Sequence, residues 1–305
     1  RYNDFLKAIT DKQLVRTRPM RGTLHYVDPR YVRIFLEHCA SKTLSWFKKR
    51  REFLWISDQQ SEQALILMKN ALTGGTILTR SQMKQLLTDA NLCDDGQRVY
   101  HLTCYAGTLG IICFGPLTEK EDTFVLLDEW IPKTREYTKE ESLTQITRMY
   151  FTGHGPATID DLCWRTGLSK TDAKMGIQWL WEQLQQSEYL WIIYYDINNH
   201  RWIIQNGIKL LGWFDEYFLG YKERSMIADI EHHKSLFGKN GIFYPLIIRD
   251  GNAIGTRKRE FKKEKVRFTL SPLPNHTIIL QDIAQEAKKY TRFWWYHDYE
   301  IILSQ

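Results

Sequence analysis

The stretch from Phe214 to Arg224 sets two adjacent carboxylates, Asp215 and Glu216, among Phe214, Tyr217, Phe218 and Tyr221, with Trp213 just before them. A carboxylate beside aromatic rings is costly to desolvate unless it is paired, hydrogen-bonded or used. Its chemical use would be to polarise a water molecule or to offset positive charge developing in a transition state. His25 in "RGTLHYV" and His154 in "FTGHGPAT" are the other groups suited to proton or phosphate chemistry. Each also has a structural reading: Asp215 as the cap of a turn, Glu216 as the partner of Arg224, and the two histidines as hydrogen-bonded supports. Both sets of readings stay open at this level.

No metal site is expected from the cysteines. Cys39, Cys93, Cys104, Cys113 and Cys163 form no CxxC and no Cys/His pair at zinc spacing. An odd, scattered set of thiols suits a reducing cytoplasm. The sequence has no apolar run of the roughly 18 residues that a membrane helix needs. The N-terminus carries neither a signal-peptide core nor an initiator Met, so the chain is expected to be soluble and to begin inside a longer one.

The net charge of +6 is unevenly spread. Residues 1–60 carry 13 Lys/Arg against 6 Asp/Glu, residues 61–205 carry 13 against 18, residues 206–267 carry 13 against 8, and residues 268–305 carry 3 against 4. Two basic regions therefore flank an acidic middle, as an electrostatic footprint for nucleic acid would. The cations concentrate in three clusters: Arg16, Arg18 and Arg21; Lys48, Lys49, Arg50 and Arg51; and Arg257, Lys258 and Arg259, continued by Lys262, Lys263, Lys265 and Arg267. Any one cluster reads equally as a solvated face. Three together favour phosphate contact, which needs many cations acting at once.

The elements that must position these groups repeat. "EQALILMKNALTGG", with Ser61 as its expected cap, "TRSQMKQLLTDA", with a Thr79–Gln82 capping box, and "QRVYHLTCYAGTLG" read as three helices, followed by strands "IICFG" and "TFVLLDEW". The order returns in "KEESLTQITRMYFTGHG", "TIDDLCWRTG" and "SKTDAKMGIQWLWEQLQQ", then "EYLWIIYY" and "HRWIIQ" as a hairpin across "DINN". Thr158 is expected to cap the short middle helix, and Trp164 to lie in the core. The first 60 residues resemble the tail of a third such unit, a helix and a hairpin about Pro19 without two preceding helices. After residue 240 a hairpin turning at Asp250-Gly251, a strand, a helix and a last strand predict a small β-rich domain. The fold class is α+β: tandem winged-helix (helix-turn-helix) units with a small β-rich C-terminal domain. The expected segments are 1–58, the end of a first winged helix with a connecting helix; 59–135, a second; 136–206, a third; and 207–305, the C-terminal domain.

A winged helix commonly reads a groove with its third helix and touches phosphate with its wing. Here the third helix carries Trp179, Trp181 and acids, which suits a scaffold better than a base reader.

The motifs "MRGTLHYV" (20–27), "CFGPLTEKEDTFVLLDEW" (113–130), "YFTGHGPATIDDLCWRTGL" (150–168), "FDEYFLGYKERS" (214–225) and "NGIFYPLIIRDGNAIGTRKR" (240–259) occur in this order along essentially the whole chain. Together they resemble the tandem winged-helix family of interstrand-crosslink and alkylpurine DNA glycosylases, the AlkZ/YcaQ-like family. The resemblance implies three winged helices in a C-shaped arrangement with a β-barrel-like C-terminal part, and double-stranded, damaged DNA as the partner in a basic channel. It implies hydrolysis of the N-glycosidic bond of N7-alkylated guanine by a monofunctional enzyme without cofactor, with Glu216, Asp215 and His25 as candidate catalytic groups near the sugar and His154 beside the DNA. Such a protein is expected to be monomeric and cytoplasmic, nucleoid-associated when bound to DNA, with no membrane contact. The family's catalytic Gln-x-Gln or Gln-x-Asp motif lies upstream of anything matching residues 1–6; Gln183-Leu184-Gln185 matches it only by position in an unrelated helix end. The alternative function is a non-catalytic winged-helix DNA-binding protein or regulator, and a third reading is a protein-interaction scaffold.

Overall fold

The computed structural model describes residues 2–93, 95–118, 121–131, 135–197, 206–237 and 242–304. The chain folds into two compact units, 1–197 and 198–305. Among the described residues no helix is long and apolar enough to cross a membrane.

The N-terminal unit begins with α1 (Tyr2–Thr10) and the hairpin β1 (Val15–Met20) and β2 (Thr23–Val27), followed by α2 (Val32–Cys39) and α3 (Ser41–Phe53). The hairpin turns at Arg21 and Gly22, both at positive φ, rather than at Pro19, which lies within β1. The next set is α4 (Asp58–Leu72), the short β3 (Leu78–Thr79), α5 (Arg80–Asp89), α6 (Gly96–Thr108), β4 (Ile112–Phe114), β5 (Thr123–Leu126) and the single turn α7 (Leu127–Trp130). The cap of α4 is Ser57, in a reciprocal box with Gln60, and Ser61 lies buried inside the helix. The Thr79–Gln82 box forms as the spacing predicts.

Instead of two separate wings, the structure has one five-stranded sheet in the order β2-β1-β4-β5-β3. Arg16 of β1 pairs with Phe114 of β4 across the junction. Val15, Val27, Val32, Leu36, Cys113, Val125 and Leu127 bury a common core beneath it, so the two hairpins bury their apolar faces together. An ion pair pins the same seam. Asp122 takes Arg16 at 2.6 Å and Arg80 at 2.5 Å, and the Arg16 guanidinium lies over the Phe114 ring.

The third set is α8 (Lys139–His154), α9 (Ile159–Thr166), α10 (Lys170–Trp179), β6 (Leu184–Tyr189) and β7 (Ile192–Ile197). Thr138, Thr158 and Ser169 cap the three helices. Gly167 ends α9 at φ 84, and a Cβ there would stand 2.8 Å from the carbonyl oxygen of Cys39, so both the left-handed backbone and the close approach require glycine. Trp164, expected in the core, is 45% exposed on α9. The hairpin also differs from expectation. Helix α10 stops at Trp179, and "EYLWIIYY" is not one strand but contains the turn, at Leu190 and Trp191, which both adopt positive φ. No Asn-Gly or Asp-Gly marks that turn in the sequence. The expected second strand, "HRWIIQ", lies outside the described residues.

The C-terminal unit contains β8 (Ile208–Leu210), the four-residue α11 (Glu216–Leu219), β9 (Leu246–Arg249), β10 (Asn252–Phe261), β11 (Lys265–Pro272), α12 (Leu280–Phe293) and β12 (Asp298–Leu303). Asp250-Gly251 makes the tight β9–β10 turn as predicted. Among the described residues the sheet runs β12-β11-β10-β9-β8. Strand β12 joins β11 in parallel, a connection that needs the intervening α12 as a crossover.

Burial works against ionisation of Asp122, yet the hydrogen bonds from Arg16 and Arg80 hold its carboxyl below its ordinary 3.8. The stabilisation it supplies is complete above the ordinary value and is lost as pH falls through the lowered folded value. Asp122→Asn should cost about 2 kcal/mol near neutrality, since it removes charge-assisted bonds from a partly buried arginine. In urea titrations the gap between variant and wild type should narrow as pH drops from about 5 towards about 3.

Candidate nucleic-acid interface

Turn Arg21-Gly22, helix α3 and helix α6 enclose a cavity of about 340 Å³ within the N-terminal unit. Its walls carry Arg18, Arg21, Lys42 and Arg50 as cations and Trp46, Phe47, Tyr100 and His101 as rings. Helical spacing explains the arrangement on α3. Thr43 and Phe47 point to the core, while Lys42, Trp46 and Arg50 follow at four-residue steps along the neighbouring stripe, with Arg50 stacked on Trp46 at 5.5 Å. Arg18 is nearly buried; it donates to the Gly22 carbonyl at 2.7 Å and to the Tyr100 hydroxyl at 3.2 Å, and so ties the turn to α6. The Lys42 ammonium donates to the carbonyl of Leu168 at 3.3 Å. Tyr100 also lines a neighbouring cavity of about 250 Å³ with Arg80 and Lys84, so cationic side chains continue past it.

His101 lies at the base of the first cavity, 1% exposed, against Phe47 and stacked near Tyr105. Neither ring nitrogen has a hydrogen-bond partner among the described residues. Burial, reinforced by the positive charges of Arg50 and Arg51, pushes its pKa down to about 4. The ring is therefore neutral near pH 7.

Burial redistributes the three basic clusters. Arg16 is committed to Asp122, Arg18 to the turn, and Arg21 stands at the turn itself. Lys48 and Lys49 lie on the exposed face of α3, Arg50 lines the cavity, and Arg51 bonds Ser61 at 3.0 Å and Asp58 at 2.9 Å, joining α3 to α4. Arg257 departs most from expectation: it is 1% exposed, over Tyr290 at 4.6 Å, and donates to the Leu211 carbonyl at 2.6 Å. Desolvation lowers its pKa to about 10, and its guanidinium is a core group out of reach of a phosphate. Strand alternation places Lys258 on the exposed face, and Arg259 among Phe261, Tyr290 and Trp294.

The proposed acid–base groups divide between the two units. His25 has its Nε2 2.8 Å from the Thr23 hydroxyl, and His154 stacks on Tyr150 at the end of α8. Asp215 caps α11, accepting from the Tyr217 amide at 3.0 Å and the Gly212 amide at 3.4 Å, while Glu216 is the half-buried first residue of that helix. Arg224 Nε donates to the carbonyls of Phe218 and Tyr221. Gln183 accepts from Arg148, at the turn between α10 and β6.

Sequence reading missed Lys42, Trp46, Tyr100 and His101, because none lies in a charge run and the cavity exists only where α3 meets α6. The four-residue spacing of Lys42, Trp46 and Arg50 was the available signal. It also missed Trp191, which is 92% exposed at the tip of the β6–β7 hairpin beside Leu190, an apolar tip of the kind that wedges between base steps.

Repeated sets of three helices and a hairpin define a tandem winged-helix protein. The family model for DNA glycosylase AlkZ-like proteins matches residues 1–293, and the chain belongs to that family of DNA-repair enzymes. It is 24% identical over 274 residues to the interstrand DNA cross-link repair glycosylase of Streptomyces sahachiroi, covering 82% of this chain and 71% of that protein. The solved structure of the Streptomyces sahachiroi DNA glycosylase AlkZ superposes with a TM-score of 0.81 at 21% identity, over 100% of this chain and 85% of that one, a likeness of fold.

Two outcomes check the site. Because the folded pKa of His101 is depressed, the protein should lose stability as pH falls from about 6.5 towards about 4, and His101→Phe should flatten that loss in urea midpoints. Trp191→Ala should weaken duplex binding in a fluorescence titration while leaving the melting temperature within about a degree, since the side chain buries little surface.

Proposed function

We propose that this protein hydrolyses the N-glycosidic bond of N7-alkylated guanine in duplex DNA, including guanines joined in interstrand crosslinks. The reading is supported by membership of a DNA glycosylase family and by the name of the Streptomyces relative. The observation that carries it is the cavity at the first wing, where cations, exposed rings and a neutral imidazole converge. Alkylation at N7 makes the purine cationic. Cleavage returns the bonding pair to the base, which leaves neutral, and water takes its place at the sugar carbon while releasing a proton. The enzyme then needs to hold the backbone, position water and stabilise an oxocarbenium-like sugar more than it needs strong acid catalysis.

In this account Arg21, Lys42 and Arg50 hold phosphates, and Trp46 and Tyr100 offer faces for a displaced base or sugar. His101 supports the floor of the cavity as a neutral ring. In the C-terminal unit Asp215 accepts from two backbone amides, and its neighbour Glu216 is the carboxylate proposed to polarise water. The nucleophile is water rather than a lysine, the protein works as a monomer, and it acts in the cytoplasm on the nucleoid.

The test is single-turnover release of 7-methylguanine from a methylated duplex by the full-length protein. Release without a borohydride-trapped adduct is expected. Arg21→Ala should weaken binding and reduce the salt slope by about 1, and Glu216→Gln should slow the step at saturating protein by about 100-fold. Salt-sensitive binding with no release would make the protein a non-catalytic DNA-binding relative.

A further inference from the structure

In the C-terminal unit one donor atom each from Asp229, His232 and His276 lie within 4.8 Å of one another. Asp229 and His232 flank the start of a 3-10 turn, Ile230–Leu236, and the His232 amide donates to the Asp229 carbonyl at 2.8 Å, which brings the two side chains to one end of that turn. His276 comes from the loop between β11 and α12, held by its own amide bond to the Leu273 carbonyl at 3.0 Å. The two imidazoles meet edge to face, with centroids 6.0 Å apart.

His232 is 7% exposed and carries the decisive detail. Its Nε2 stands 3.1 Å from the carbonyl of Pro274, which can only accept, so the proton of a neutral ring sits on Nε2. That leaves the Nδ1 lone pair, which is buried and has no hydrogen-bond partner among the described residues. A buried acceptor without a partner is costly. An imidazole whose far N–H is fixed on a backbone carbonyl is how proteins orient a metal ligand. Two imidazoles and one carboxylate are a donor set that suits zinc, with a fourth position for water.

We propose that Asp229, His232 and His276 form a zinc site that clasps the 3-10 turn to the β11–α12 loop. Donors around tetrahedral zinc stand about 3.3 Å apart, given bond lengths near 2.0–2.1 Å. Asp229 is exposed and His276 half-buried, so both side chains have room to turn towards that spacing. The site belongs to the C-terminal unit and is independent of the glycosylase reading. It is hidden in the sequence because its two halves are far apart and no CxxC or paired-histidine spacing announces it.

The experiment is zinc titration of the full-length, untagged protein against a chromophoric chelator, with the melting temperature read with and without zinc. One equivalent of zinc should be taken up, and the melting temperature should rise. Asp229→Asn and His276→Gln, chosen at accessible positions so that the fold survives, should each weaken binding by about tenfold or more and abolish the rise. A cobalt-loaded sample should show visible absorption that both variants lose. Failure of the wild type to take up an equivalent, or uptake unchanged in both variants, overturns the proposal.

Discussion

The N-terminal unit depends on one joint, the pairing of β1 with β4 under the Arg16–Asp122–Arg80 cluster. Each hairpin alone is short and has one face to bury, and two-stranded ribbons are marginal in water. Joined edge to edge they share a core of Val15, Val27, Cys113 and Val125 and become one sheet. The joint fixes where β1 ends, and so where the turn at Arg21 and Gly22 stands relative to α3 and α6. The cavity of Arg18, Arg21, Lys42 and Arg50 is a consequence of that placement.

Burial then divides the cations into two kinds. Arg16, Arg51 and Arg257 have become structural, each with a carboxylate, hydroxyl or carbonyl partner and an aromatic face. A guanidinium suits this use, since its planar fork forms several bonds while its face stacks on a ring. Arg21, Lys42 and Arg50 line the cavity instead, beside Trp46 and Tyr100. Concentrating a few cations around a cleft raises the local potential more than spreading many over a surface does. This favours a small, strongly positive site over the broad basic stripe that the charge runs suggest.

His101 and His232 show the same physics in two settings. Both are buried, and both keep a nitrogen without a partner among the described residues. For His101 burial, and after it the neighbouring cations, keeps the ring neutral. For His232 the neighbours are a carboxylate and a second imidazole, which attract a cation. The surroundings, rather than the residue type, decide what each can bind.

Local chemistry was legible in the sequence: the capping box at Thr79, the cap at Thr158, the Asp250-Gly251 turn, and the ordered motifs that placed the chain in its family. These depend on contacts within a few residues or on order along the chain, and both survive in a string of letters. The Leu190-Trp191 turn, the exposure of Trp164, the merger of two wings into one sheet, and the division of Arg50 from Arg51 were decided by tertiary structure. So was the fate of Arg257: strand alternation assigns it a face, but only the packing of α12 against that face turns a surface cation into a core one. Whether a side chain meets solvent, a partner or a ligand depends on elements far away in sequence, and no local pattern encodes that.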